Sequence, residues 1–297
     1  MTKQQLTRLK QKMRPWLFLA PALIMLTVVI VLPICKVIQY SFVDNIFLSE
    51  DMSFVGISNY VDVLTDPRTG KMLLFTVGFT LGSVLLHTVI GIVFAVLLNG
   101  RISHKALAFF RVIYILPWIF TAAVVAIVWQ LILNPQGVLN ALLGGIVGET
   151  VMVEWLGTPA LAVISLLLIN AWRGYPTCMI SFLAGLQNIP TSMYEAAEVD
   201  GAGKLRQFFS LTLPQLRPVI CSMAVLDAIW TMNLFPLIWL TTGGGPLGST
   251  ETIATLTYRM SFVEYEFGSA SALAVIGLLV SMIGIGLYMR MQKQMDY

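Results

Sequence analysis

Apolar positions along this chain fall in long uninterrupted runs, neither alternating with polar ones nor confined to one helical stripe. A helix needs about 20 mostly apolar residues to cross the hydrocarbon of a bilayer, and only helices or closed barrels satisfy every backbone group there. Six stretches reach that length: 16–38, 73–98, 112–133, 160–185, 219–240 and 270–289. Barrel strands alternate apolar-out and polar-in. The unbroken runs therefore predict an all-α integral membrane protein with six transmembrane helices. They form one domain over 16–289, between an N-terminal segment 1–15 and a tail 290–297. Neither an internal repeat nor a low-complexity tract is visible, so a duplicated inverted-repeat transporter has no support.

Composition agrees with this pattern. Hydrophobic residues make up 57% of the chain and charged residues 11%, against about 25% charged in a soluble domain. The net charge of +3 matters through its placement. With a cytoplasmic N-terminus, 13 of the 18 Lys and Arg residues fall in inner segments and 3 in outer ones. This asymmetry is the one the positive-inside rule describes, and it puts both termini in the cytoplasm. The basic balance is thereby explained without nucleic acid. The first run follows a basic segment, as a secretory signal would, but it is too long. Gln39-Tyr40-Ser41-Phe42 after it is no cleavage pattern, so it is read as a membrane anchor. Cys35, Cys178 and Cys221 lie in apolar runs without metal or disulfide spacing. No metal site and no catalytic set is expected: a zinc protease would need His-Glu-x-x-His, and His87 and His104 are far apart in sequence.

Two regions carry chemistry. The first is the inner loop at about 187–217. Thr191 or Ser192 is placed to cap a short helix after Pro190, with Glu195 in capping-box position to Ser192. That helix is expected to stop at Asp200-Gly201, and a second, over 205–211, to end before Pro214. Ala196, Ala197 and Gly201 leave room for close approach by another protein. Physics alone leaves two readings open, a hairpin lying on the membrane surface or a docking surface.

The second region is polar residues inside spans, which are costly there. Arg173 and Asp227 lie roughly 18 and 12 Å from the inner ends of spans four and five at 1.5 Å per residue. They are read either as an ion pair fixing helix packing or as contacts to a substrate or a companion subunit. Gly174 and Pro176 in span four and Pro236 in span five loosen the backbone, so these spans are expected to line a path. Trp172, Arg173, Tyr175, Asp227, Trp230, Asn233 and Trp239 are its candidate residues, with packing or interfacial roles as the alternative for the aromatics. His87 reads as a hydrogen-bonded packing residue. Gly243-Gly-Gly-Pro246 lacks the Lys-Ser/Thr ending of a phosphate-binding loop.

The loop residues Tyr194, Glu195, Ala196, Ala197, Asp200 and Gly201, followed by Leu213-Pro214, resemble the EAA loop of permeases in binding-protein-dependent ABC importers. Phe54-Val-Gly-Ile-Ser-Asn-Tyr60, Ile115-Leu-Pro-Trp118, Trp129, Asn134-Pro135, Trp172-Arg-Gly-Tyr-Pro176 and Thr242-Gly-Gly-Gly-Pro246 look like stretches of the carbohydrate type, the maltose and glycerol-3-phosphate importer family. The extra N-terminal spans and large outer domain of some maltose-type subunits have no counterpart here. The resemblance implies the type I importer permease fold in a bacterial cytoplasmic (inner) membrane. Its implied partners are a second permease subunit, forming a heterodimer, two ATPase subunits docking on the loop, and an extracytoplasmic solute-binding protein delivering a carbohydrate. ATP and Mg would be bound by the ATPase subunits, and no cofactor by this chain, which has no Walker-type sequence. Two alternatives are an ABC importer for a non-sugar solute and an ion-coupled secondary transporter. The latter would carry more acidic span residues than Asp227.

Overall fold

The computed structural model describes residues 16, 18–44, 53–100 and 104–295. The N-terminal segment 1–15 expected to be cytoplasmic, and its basic residues, lie outside them. Among the described residues the chain is helical apart from loops and one isolated bridge, Val43 to Phe54. The helices are α1 (Phe18–Tyr40), α2 (Ser58–Thr65), α3 (Pro67–Leu98), α4 (His104–Ile119), α5 (Ala122–Ile132), α6 (Val138–Val147), α7 (Pro159–Gln187), α8 (Thr191–Val199), α9 (Lys204–Met232), α10 (Pro236–Thr242), α11 (Ile253–Phe262) and α12 (Phe267–Met295). Five are long and apolar enough to cross a membrane: α1, α3, α7, α9 and α12. The pair α4 and α5 makes a sixth if counted as one span.

Two of the expected spans are built differently. The third is no single helix over 112–133, because α4 and α5 meet at 99°. Pro117 lies in the last turn of α4, and Thr121 has extended backbone and caps α5 by accepting from Val124 N–H through Oγ1. A capped start is a fresh helix, so the bend is local chemistry. The fifth, expected over 219–240, begins at Lys204 and stops at Met232. Pro236 then opens α10, as proline does at a first turn.

Proline does not always break the helix here. The second loop helix expected to end before Pro214 runs on into α9 through a π turn, Phe208–Thr212. Leu213 N–H bonds to Phe208 O, five residues back, one residue before the proline. A second π turn, Thr27–Val31, stands likewise before Pro33 in α1. Widening the turn relieves the clash of the ring with the preceding carbonyl, and the proline has no N–H to place.

The chain folds as two compact units. One holds the described residues up to Thr65 with Arg259–Ile276. In it Asn59 is buried and donates from Nδ2 to the carbonyls of Ser41 and Val43, at 3.0 and 2.9 Å. Gly268 packs on the same carbonyl of Val43 and on the Asn59 amide, with no room for a side chain. The other unit is Asp66–Tyr258 with the remainder of the chain. Its core is α7, packed against α3 and α9 around Ala95, Cys178, Met179, Phe182 and Leu216. Small residues set the approach of these helices. A Cβ on Gly91 would lie 2.8 Å from Cys178 Cβ, and one on Gly185 2.7 Å from Leu216 Cδ2.

Candidate functional site

At the crossing of α3, α7 and α9 the apolar packing gives way to a buried polar chain. His87 on α3 places Nδ1 2.7 Å from Asp227 Oδ2 on α9 and Nε2 2.8 Å from the carbonyl oxygen of Asn170 on α7. The Asn170 amide donates to Ser83 Oγ at 3.0 Å, and Thr231 Oγ1 lies 3.5 Å from Asp227 Oδ1. All five residues are buried. A carbonyl can only accept, so Nε2 carries a proton. One further proton then lies between Nδ1 and Oδ2. Drawn as imidazolium with carboxylate or as imidazole with carboxylic acid, the pair has no net charge, which suits its depth in apolar surroundings. Gly174 completes the cradle, since a Cβ there would collide with His87 Cε1 and Nε2.

This arrangement corrects one of the alternatives for Arg173 and Asp227. Among the described residues the partner of Asp227 is His87, and no ion pair joins it to Arg173. Arg173 is half-buried, and its Nε has no hydrogen-bond partner. Ser83, Asn170 and Thr231 are not among the residues expected from the sequence, yet they leave a signal there. Each sits four residues from another member of the cluster: Ser83 from His87, Asn170 from Gly174, and Thr231 from Asp227. Residues four apart share a helix face.

The remaining path candidates separate by environment. Tyr175 is a core residue, its hydroxyl donating to the Tyr114 carbonyl at 3.1 Å and its ring against Phe94. It has no surface to offer a solute. Trp172 meets Trp129 edge-on at 5.8 Å, and Trp239 clusters with Phe235 and Tyr258. Trp230 is 56% exposed, and Asn233, also exposed, caps α9 with Nδ2 on Ile229 O. The glycine loop at 243–248 is tightly turned. Gly243, Gly244 and Gly248 have positive φ, and Thr250 Oγ1 bonds to Gly245 O at 2.6 Å and to Thr242 Oγ1 at 2.8 Å.

The loop that carries α8 is an exposed element held by its own hydrogen bonds. α8 ends with Gly201 at φ +77°, Gly201 N–H on Glu198 O and Ala202 N–H on Ala197 O. Those two bonds and the left-handed glycine are a Schellman stop. Gly201 is thus required by backbone geometry, beyond the small bulk read from the sequence. The expected capping box is not formed: α8 starts at Thr191 with Pro190 as N-cap and no side-chain cap. Tyr194 OH is tied to Thr212 Oγ1 at 3.0 Å, bracing α8 on the start of α9. Glu195, Ala196, Asp200, Gly201 and Pro214 are exposed, and Ala197 and Leu213 half-buried. Beside them stand Val199 and Leu205, 88% and 77% exposed, two apolar side chains that the loop motif does not single out.

Interrupted helices, α4 with α5 and α9 with α10, thus stand among the long apolar helices, and the exposed helix α8 is braced on α9. Comparison with known proteins gives this arrangement a family. The family described as binding-protein-dependent transport system inner membrane component matches residues 87–297. The trehalose/maltose transport system permease protein MalF of Thermococcus litoralis is 34% identical over 268 residues, 90% of each chain. The multiple sugar-binding transport system permease protein MsmF of Streptococcus mutans is 33% identical, over 95% of this chain and 96% of that one. A solved bacterial ABC transporter for the import of alginate superposes with a TM-score of 0.83 at 22% identity, covering 98% of this chain and 100% of that one. The chain belongs to the binding-protein-dependent transport family, as an inner-membrane permease subunit of an ABC importer.

Proposed function

We propose that this subunit forms, with a second and different permease, the path for a carbohydrate delivered by an extracytoplasmic binding protein, and that separate ATPase subunits drive it by docking on α8. The observation that carries the docking role is the braced, exposed surface formed by α8, with Val199, and the first turn of α9, with Leu205. A helix of 29 residues spans roughly 44 Å at 1.5 Å per residue, and Asp227 lies roughly 35 Å along it from Lys204. The loop and the His87 network are therefore joined by one continuous helix. The network ties that helix to α3 and α7, so the three helices respond together. Arg173, Trp230 and Asn233 are the groups proposed to face the path or the companion permease. ATP is bound by the partners.

The carbohydrate class is supported by the sugar-transport names of the relatives. The fold leaves a non-sugar solute open, because a methionine ABC transporter also superposes, with a TM-score of 0.54. The test is ATP hydrolysis by the reconstituted complex with its binding protein. The panel is trehalose, maltose, sulfoquinovosyl glycerol, an alginate oligosaccharide and methionine. Stimulation by a saccharide is expected; stimulation by methionine alone sinks the carbohydrate reading.

Orientation rests on the Lys and Arg asymmetry. In a background without native cysteines, Asp62→Cys, Gly148→Cys and Gly248→Cys are expected to react with an impermeant thiol reagent added to intact cells. His104→Cys and Lys204→Cys are expected to react only after lysis. Labelling of position 204 from outside would invert the topology.

A further inference from the structure

Arg173 stands at the midpoint of the 29-residue helix α7, roughly 21 Å from either end at 1.5 Å per residue. A cation at such depth is costly, and it is found paired or facing water. Among the described residues no hydrogen bond or ion pair reaches its side chain. The long helices carry one acidic residue, Asp227, and His87 already holds it. This chain therefore supplies no counter-charge for Arg173.

The packing of α7 shows from which side that cation is open. Leu166, Ile169, Arg173, Thr177, Ile180 and Ala184 follow one another at three- or four-residue spacing and so share one face. Leu166 is fully buried with Phe75, Phe79 and Ile238, and Ile169 with Val125, Ala126 and Leu237. Past Arg173 the cover stops: Thr177 is half-buried, and Ile180 and Ala184 are exposed. Arg173 sits on that edge, its Nε sealed without a partner and the Nη groups at its tip left open. A guanidinium held in this way presents both Nη groups end-on, the fork that takes a carboxylate through two parallel bonds.

Lipid does not answer the charge, because both helix ends lie beyond the reach of one side chain. Bulk water does not suit the stretch that follows, where Ile180 and Ala184 are apolar. A solute is present during only part of a transport cycle, whereas a cation at this depth needs its partner throughout. A second copy of this chain does not serve either. Across a two-fold axis the same patches meet, which sets guanidinium against guanidinium, and the one span carboxylate is taken.

We propose that Arg173 forms an ion pair with a carboxylate on a membrane span of the second permease, and that the open face from Thr177 to Ala184 packs on that subunit. The proposal rests on the two-permease reading above and adds the contact that makes the companion a different chain.

The test uses the complete complex, purified through a tag on this subunit. Arg173→Glu is expected to lower recovery of the second permease at least about tenfold, because it breaks a buried pair and sets two carboxylates together. Replacing the Asp and Glu residues in the spans of the second permease by Arg, one at a time, is expected to restore recovery at one position, which also shows that Arg173→Glu folds. Independently, Ile180→Cys carrying a benzophenone maleimide, in a background without native cysteines, is expected to photo-cross-link to the second permease. Full recovery with Arg173→Glu overturns the ion pair, as does a loss that no such replacement restores. Normal assembly of Arg173→Gln, with a raised half-stimulating concentration for sulfoquinovosyl glycerol or alginate alone, overturns it in favour of an anionic solute. A second permease that is present but unlinked at Ile180 overturns the packed face and leaves the two-permease reading standing. A complex holding two copies of this chain and no second permease overturns both.

Discussion

Asp227→Ala is expected to be among the most damaging single substitutions in the membrane-embedded part of this subunit. It leaves His87 Nδ1 buried and facing no partner, and removing one member of a buried pair typically costs about 3–5 kcal/mol. The complex should lose several degrees of thermal stability in detergent, or fail to assemble, with transport falling accordingly. Asp227→Asn should be milder, because its amide can donate to Nδ1 of a neutral imidazole whose Nε2 proton stays on the Asn170 carbonyl. The double variant His87→Phe with Asp227→Leu, which removes both polar groups, should recover part of the loss. Gly174→Ala should resemble Asp227→Ala, since the new methyl would collide with the His87 ring. Arg173→Ala should add to Asp227→Ala without coupling, within about 0.5 kcal/mol. A melting-temperature series on the purified complex checks all five. Wild-type stability in Asp227→Ala, or strong coupling to Arg173, would show that the His87 contact does not hold these helices.

Gly201→Asp is the second large effect, and it acts at the other end of α9. Two costs add there. A side chain at φ +77° is strained for any residue but glycine, least so for Asn and Asp. The new carboxylate also stands on the proposed docking surface, where a Cβ meets no atom of this chain within 4 Å. The subunit should insert and fold normally, because the site is exposed. Uptake and binding-protein-stimulated hydrolysis should both fall by at least about tenfold, as expected for an interface contact worth about 1.4 kcal/mol or more. Gly201→Asn separates the costs. It tolerates the backbone and carries no charge, so it should retain more activity than the aspartate. Glu195→Lys, which sets a positive charge near the start of α8 against the helix dipole, should weaken docking in the same direction. Co-purification of the ATPase subunits and their stimulated hydrolysis are the readouts. A well-expressed Gly201→Asp variant with wild-type uptake would remove α8 as the coupling surface.

The two predictions address one device from its two ends. Bracing of α8 by Tyr194 on Thr212 keeps the loop from moving independently of α9. The His87 contact keeps α9 from moving independently of α3 and α7. The proposed coupling requires both joints to hold.

Features that depend on local sums of hydropathy and on short motifs are legible in the amino-acid order alone. A run of about 20 apolar residues enters the bilayer whatever its neighbours do, so the five long spans can be read directly, whereas the run at 112–133 folds as two helices meeting at 99°. The stop of α8 at Asp200-Gly201, which one glycine in left-handed conformation sets, can also be read directly. The partner of Asp227 is beyond reach of such reasoning. His87 lies 140 residues away, and only the close crossing allowed by Gly174 brings the two together. Matching depths in the bilayer suggest Arg173, but depth leaves rotation about the helix axis open, and rotation decides which side chains meet. The prolines behave in the same way. Pro214 continues a helix through a π turn whereas Pro236 begins a new one, because a helix survives where nearby groups satisfy the freed carbonyls and ends where other partners take them. Gln130, from a helix distant in sequence, takes the carbonyls of Leu240 and Thr241 at the far end of α10. Helix ends and polar partners follow from which surfaces pack together, and that packing is set by contacts between residues far apart in the chain.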